Sequence, residues 1–302
     1  MVINADCGNT FDRNEYIREL LETFKYTIEF LDKHKLKWFV GGGTCIGAVR
    51  HKGLIPWDDD IDIFMPREDY KKLLALQSEL DNEKYEIVSW QKGHSPSPFS
   101  KVIDRNTTLW ELKSQPFIIG VFVDIFPMDL TGEEPSLIEK QIKNYDKYLN
   151  LYWSSISEYS IKDIFVLLSQ KHFRLFGLGI MSFFTHNKKN YYLNKLRNLD
   201  KAHNFDNGNY YVLYSACFAY QYKKEIFRKE WFDNYCLMPF EGIEVRVPIG
   251  FDAYLTHVYG DYMQLPPVEK RITRHYHYYM NLNERKTIQE IVQIKKWNGY
   301  RE

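Results

Sequence analysis

Apolar residues at Ile17, Leu20, Leu21, Phe24, Ile28 and Leu31 recur every three or four positions, which predicts an amphipathic helix over residues 11–35. The period then changes. LKWFV (36–40) reads as a short buried strand running into three glycines, TCIGAVR (44–50) as a helical turn, and DIDIFM (60–65) as a second strand. Pro66 opens a further helix, REDYKKLLALQSEL (67–80). Strand-like runs follow at YEIVSW (85–90), FSKVID (99–104), TTLWELK (107–113) and VFVDIF (121–126), separated by Pro, Gly, Ser and Asn. From about 135 to about 205 the pattern is helical, and mixed structure returns after it. MPFEGIEVRVP (238–248) predicts a hairpin over Glu241-Gly242, and ERKTIQEIVQIKKW (284–297) a terminal helix. The succession predicts an α+β fold: a mixed sheet flanked by helices, a helical insertion, and a mixed C-terminal part.

One stretch asks for more than a structural reading. GGGTCIGAVRHKGLIPWDDDIDIFM (41–65) begins with three glycines and packs four carboxylates into the five positions from Asp58 to Asp62. Like charges this close repel one another and resist burial unless something positive holds them. On a strand, alternation turns Asp58, Asp60 and Asp62 to one face, ~6–7 Å apart, and Asp59 to the other, where it is free to hold a loop. Such a face suits a hard divalent cation, Mg²⁺ or Mn²⁺. Ile61 and Ile63, threaded between the acids, favour a half-buried strand over a solvated acidic turn. An EF-hand loop is excluded, because Ile63 and Asp69 stand where it needs Gly and Glu. No GxxxxGK[ST] is present, and Ile46 replaces the third glycine of a dinucleotide fingerprint.

Charge and composition narrow the partners. Forty basic and forty acidic side chains balance, which gives no support to nucleic-acid binding. Aromatic residues make up 17% of the chain; most are expected in the core, and some tyrosines are candidates to line a sugar or cation site. Cys7, Cys45, Cys217 and Cys236 form no CxxC pair and no zinc spacing, which fits a reducing compartment. The N-terminal residues are polar, without the apolar stretch of a signal peptide, and no window of 18 uncharged apolar residues occurs. A cytoplasmic protein is expected. The apolar run IFVLLSQKHFRLFGLGIMSFF (164–184) is interrupted by Lys171, His172 and Arg174. It reads either as a peripheral contact with the inner face of a membrane, or as a buried hairpin or oligomer interface broken near Gly177 and Gly179.

Gly-Gly followed some fifteen residues later by Asp-x-Asp on a strand resembles the nucleotidyltransferase superfamily. The longer string from Gly41 to Leu73 is more specific. Together with KVIDRNTTL (101–109), VFVDIFPMD (121–129) and YGDYMQLPPVEKRITRH (259–275), it is similar to the LicD family of bacterial phosphocholine transferases, relatives of the fukutin-type enzymes that transfer ribitol phosphate. The similarity runs from about residue 36 to 277, with no matching motif at about 135–235.

The resemblance implies a nucleotidyltransferase-like catalytic core (1–134), a helical region facing acceptor or membrane (135–210), and a C-terminal part completing the active site (211–302). It implies transfer of a phosphocholine or phospho-polyol group from a CDP-linked donor such as CDP-choline. The acceptor would be a sugar hydroxyl of a cell-surface or lipid-linked glycan (teichoic acid, lipopolysaccharide or capsule), with CMP leaving. Asp60, Asp62 and Asp124 would hold the metal, with Asp129 the second candidate after Asp124, and Asp58 would accept the hydroxyl proton. Gly42, Gly43 and Thr44 would let backbone approach phosphate, and Arg50, Lys101, Arg105, Arg271 and His275 would contact the donor. His277, Trp57 and the run RHYHYYM (274–280) are further candidates for its walls. CDP-glycerol or CDP-ribitol as donor, or a true nucleotidyltransferase attaching NMP to a small molecule or protein, are the alternatives.

Overall fold

The computed structural model describes residues 12–90, 95–132, 134–202, 208–215, 223–273, 275 and 277–297. Cys7, Cys217, Arg274 and Tyr276 lie outside the described residues. Helix α1 (Arg13–Lys33) starts at Asp12, whose carboxylate accepts the Asn14 N–H, and buries Tyr16, Leu20, Phe24, Ile28 and Leu31 along one stripe. Strand β1 (Phe39–Val40) enters α2 (Gly42–Ile46), which continues into a π-helical turn, Gly47–His51. Then come β2 (Asp62–Pro66), α3 (Arg67–Ala75), α4 (Gln77–Leu80), β3 (Tyr85–Ser89), β4 (Ser100–Asp104), β5 (Thr108–Trp110) and β6 (Phe122–Thr131). Four helices follow: α5 (Pro135–Ile156), α6 (Ile161–Ser169), α7 (Phe173–Thr185) and α8 (Lys189–Ala202). The remainder is β7 (Tyr210–Val212), β8 (Ile226–Arg228), β9 (Tyr235–Phe240), β10 (Ile243–Pro248), α9 (Phe251–Tyr259), β11 (Tyr279–Asn281) and α10 (Ile288–Trp297).

The fold is α+β. Its main sheet has the order β1-β2-β6-β4-β3, with β7 on the far half of β6 and β8 beyond it. Only β2 and β6 run parallel; their register sets Asp62 beside Asp124. β4 lies antiparallel on the other flank of β6 and sets Lys101 beside Asp124. Helix α1 covers one face, and Leu20, Phe24, Ile63, Val102, Val123 and Ile125 share the same core. The β9–β10 hairpin turns at Glu241-Gly242, both with positive φ, as its Glu-Gly turn requires.

Two elements differ from expectation. The second strand starts at Asp62 rather than residue 60, because the Asp58 N–H bonds the Ile55 carbonyl and closes a turn across Pro56. Residues 58–61 therefore lie outside the strand, and alternation does not set their directions. The run 164–184 divides between α6 and α7, with Lys171 at φ +60° between them. Helix α7 packs on α5, but α6 packs on α7 and buries none of its own side chains. Among the described residues, no helix is long and apolar enough to cross a membrane.

The helical region is tied to the sheet through polar groups as well as apolar ones. Arg67, at the start of α3, makes two hydrogen bonds of 2.7 and 2.6 Å to Asp129 on β6 and lies 3.6 Å from Asp200 on α8. Tyr145 on α5 donates to Asp200. Arg67, Asp129 and Tyr145 are buried and Asp200 is largely so, and Asp129 belongs to this structural network rather than to the carboxylate cluster near Asp60.

Candidate active site

The glycine turn and the first residue of β2 hold each other. The Gly41 N–H donates to the Asp62 carbonyl at 3.0 Å, and the Asp62 N–H donates to Thr44 Oγ1 at 2.9 Å. Gly42 has φ +48°, and its N–H bonds the hydroxyl of Tyr254 on α9 at 2.9 Å. A Cβ at Gly42 would sit 2.5 Å from Asp62 Oδ2, and one at Gly43 would sit 2.6 Å from Asp58 Oδ2. The turn is thus built to admit carboxylates against its backbone. Gly42→Ala is expected to strain the left-handed residue by about 1–2 kcal/mol and to push Asp62 out of place. Its check is paired: a modestly lowered melting temperature beside a far larger loss of turnover. Equal turnover in the variant would show that Asp62 needs no such fit.

Next to the turn, the carboxylates of Asp58, Asp59 and Asp60 and the ring of His275 bring ligand atoms within 4.8 Å of one another. The Asp59 carboxylate is 7% exposed and accepts from Thr273 Oγ1 at 2.7 Å and from His275 Nδ1 at 2.6 Å, while His277 Nε2 lies 3.8 Å away. Tyr16 of α1 donates to the Asp59 carbonyl, and Arg13 to that of Asp58. Asp59 does hold the distant Thr273 and His275, yet it sits among its neighbours instead of on an opposite face. His275 Nε2 faces Asp60 Oδ2 at 3.3 Å.

The electrostatics follow from this crowding. Burial, then the charge of Asp60 and a hydrogen bond with it, push the Asp58 carboxyl up to about 7. Burial also raises Asp60, with Asp124 adding to it, and His275 opposes. Asp62 is driven well above the usual carboxylate range by burial and by Asp60, Asp124 and Asp58. Asp59 goes the other way: burial would raise it, but the bonds from His275 and Thr273, with His277 close by, outweigh that and hold it well below normal. For His275, burial alone would lower the pKa, yet its bond to Asp59 and the charges of Asp60, Asp59 and Asp58 push it up to about 10. A pocket dominated by carboxylate oxygens, with the His275 nitrogen among them, whose negative charge exceeds its compensation, fits a hard divalent cation.

The glycine turn and the acidic run Asp58–Asp62 lie inside a recognisable domain. Residues 35–150 match the model of the LicD/FKTN/FKRP nucleotidyltransferase domain. The chain carries a LicD-family domain. Over 257 residues it is 28% identical to the lipopolysaccharide cholinephosphotransferase LicD of Haemophilus influenzae, covering 84% of this chain and 92% of that protein. It is also 38% identical over 53 residues to the ribitol 5-phosphate transferase FKRP of mouse and of human, a match covering 18% of this chain and 11% of each relative.

The basic candidates are placed unequally. Arg271 lies over the Trp57 ring at 5.5 Å and donates to the Pro266 carbonyl. Arg50 donates to the Tyr262 carbonyl and to His51, whose ring meets Trp57 edge-on. Burial and then Arg271 lower the Arg50 pKa, so the two guanidiniums share one neighbourhood around Trp57. Three candidates have their side chains engaged within the protein. Lys101 is 2% exposed, with its ammonium 2.6 Å from Asp124 Oδ1 and over the Phe122 ring, so it neutralises a carboxylate instead of offering an open phosphate clamp. Arg105 lies four residues further along, ~13 Å at strand rise, and bonds the Asn82 carbonyl on the surface. Thr44 is buried, and its hydroxyl fastens β2.

Asp62 and Asp124 stand in register on neighbouring strands, next to the group formed by Asp58, Asp59 and Asp60. Thr273, Tyr254 and Tyr16 were not legible as site residues, since each acts through a backbone or carboxylate partner far away in sequence. The one available signal was the Thr-x-His-x-His spacing from Thr273 to His277.

Proposed function

We propose that this chain is a CDP-dependent phosphotransferase that moves a phosphocholine or related phospho-polyol group to a sugar hydroxyl of a cell-surface glycan and releases CMP. The observation that carries the reading is the placing of Asp62 and Asp58 against the Gly42-Gly43 turn, with Asp60 grouped beside Asp58 and Asp124 in register with Asp62. The names of the relatives support the chemistry, one a cholinephosphotransferase and the other a ribitol 5-phosphate transferase. A CDP-linked donor agrees with a cytoplasmic enzyme.

In this reading the acceptor oxygen forms a bond to the distal phosphorus of the donor. The bond between that phosphorus and the bridging oxygen breaks, and its electron pair leaves with CMP. Asp58 takes the acceptor proton. Asp60, Asp62 and Asp124 hold Mg²⁺ or Mn²⁺, which when bound supplies Lewis-acid stabilisation of the phosphate oxygens. Lys101 orients Asp124, and Asp59 orients His275. Arg50 and Arg271 receive the donor's diphosphate, with Trp57 beside them as a stacking face. Residues 1–134 then form the catalytic core, 135–210 face the acceptor, and 211–302 close the site through Arg271 and His275.

The test is a donor screen with CDP-choline, CDP-glycerol and CDP-ribitol, reading CMP release in Mg²⁺ and in EDTA. One donor is expected to yield CMP in Mg²⁺ alone. Cytidine label retained on the product would make the chain a nucleotidyltransferase, and no metal-dependent turnover of any donor would overturn the reading.

A further inference from the structure

Helices α6 and α7 expose what a folded domain ordinarily buries. Ile161, Phe165 and Leu168 follow one another at helical spacing along α6, and Phe173, Ile180 and Phe184 along α7. Phe165 is 66% exposed and Phe184 77%. Contiguous apolar surface of this kind marks an interaction site. The charge around it is one-sided. Between residues 160 and 190 stand Lys162, Lys171, Arg174, Lys188 and Lys189 against the single acid Asp163, in a chain whose charges balance as a whole. Asp163 is itself engaged in the capping box with Ser160. The division of the run at Lys171 leaves helices of 9 and 13 residues, far short of the ~20 needed to span a bilayer.

We infer that the α6–α7 hairpin docks on the surface of an anionic lipid bilayer, lying in the interface with its phenylalanines below the headgroups and its lysines among them. Charge decides against a second copy as the occupant. A two-fold interface sets the same patch against itself, which would bring the basic side chains of two hairpins together with one acid each to offset them. Anionic headgroups complement the same patch. Such docking would confine the enzyme to a surface that carries lipid-linked acceptors, but the inference stands apart from the reading of the active site, because vesicle binding is measured without donor, acceptor or metal.

The experiment is flotation of the full chain with vesicles of phosphatidylglycerol and phosphatidylcholine, against phosphatidylcholine alone. The chain is expected to float with the anionic vesicles at low salt and to remain behind with the neutral ones. Each lysine near such a surface is worth about fivefold in binding, so Lys171→Gln with Lys188→Gln should weaken it roughly twenty- to thirtyfold. Phe165→Ser with Phe184→Ser should abolish it with an unchanged melting temperature, since both rings are exposed; if that pair misfolds, the lysine pair still reads the interface. Wild type left in the soluble fraction at low salt would overturn the inference. So would sedimentation showing a dimer that Phe165→Ser with Phe184→Ser takes apart.

Discussion

Asp62→Asn is expected to lower transfer by at least roughly 10²–10³-fold, the scale seen when a preorganised electrostatic group is removed, and yet to raise the melting temperature in EDTA. Both effects come from one cause. Asp62 is buried beside Asp60, Asp124 and Asp58, and its pKa stands well above the ordinary 3.8. A carboxyl raised in this way favours the fold while protonated, and that contribution is lost as pH rises from the unfolded value through the folded one. At neutral pH the unfolded chain has released this proton, so the buried carboxyl weakens the metal-free protein. Asn keeps the shape, and its backbone N–H still reaches Thr44, but the repulsion is gone. Saturating Mg²⁺ should raise the melting temperature of the wild type by mass action and leave the variant where it was. Differential scanning fluorimetry in EDTA and in Mg²⁺, beside CMP release, reads both halves. Turnover close to wild type would remove Asp62 from the machinery, and a lower melting temperature in EDTA would show that its charge holds the fold.

What was legible in the chain was whatever depends on near neighbours. The period of Leu20, Phe24, Ile28 and Leu31 marked α1, and the Glu241-Gly242 dipeptide marked a hairpin turn, because helix faces and tight turns are set within a few residues. The crowding of Asp58 to Asp62 also announced itself without a structure. Register was harder. That Lys101 would face Asp124 follows from the antiparallel pairing of β4 with β6, which no local pattern encodes, and so Lys101 read as a clamp for phosphate. Assigning Asp59 to an opposite face failed because strand alternation was extended back through residues that form a turn after Pro56. For the run 164–184, hydropathy shows that a side chain is apolar but not whether anything covers it. The exposure of Phe165 and Phe184 emerges only once α5 is seen packing on α7 and leaving α6 outside.

The second large effect lies in the contact between sheet and helical region, where one guanidinium serves two carboxylates. Arg67→Ala is expected to destabilise the chain by about 3–5 kcal/mol, the cost of leaving a buried charge without its partner, because Asp129 has no exposure through which water could replace the two hydrogen bonds it loses. Asp200 should behave in the opposite sense. Burial pushes its carboxyl up to about 7, and the opposing pull of Arg67 is insufficient to reverse that. The folded state therefore binds a proton that the unfolded state releases near the ordinary 3.8. Its stabilising contribution is complete below that value, falls as pH rises toward 7, and changes little beyond it. Asp200→Asn, which mimics the protonated form, should be close to neutral near pH 4. By pH 8 it should stabilise by on the order of 2–4 kcal/mol relative to wild type. Urea denaturation of wild type and both variants across this range separates the two roles. A pH-independent loss in Asp200→Asn would mean that its carboxylate is ionised and paired with Arg67 at every pH, and that the two acids share the guanidinium as equals.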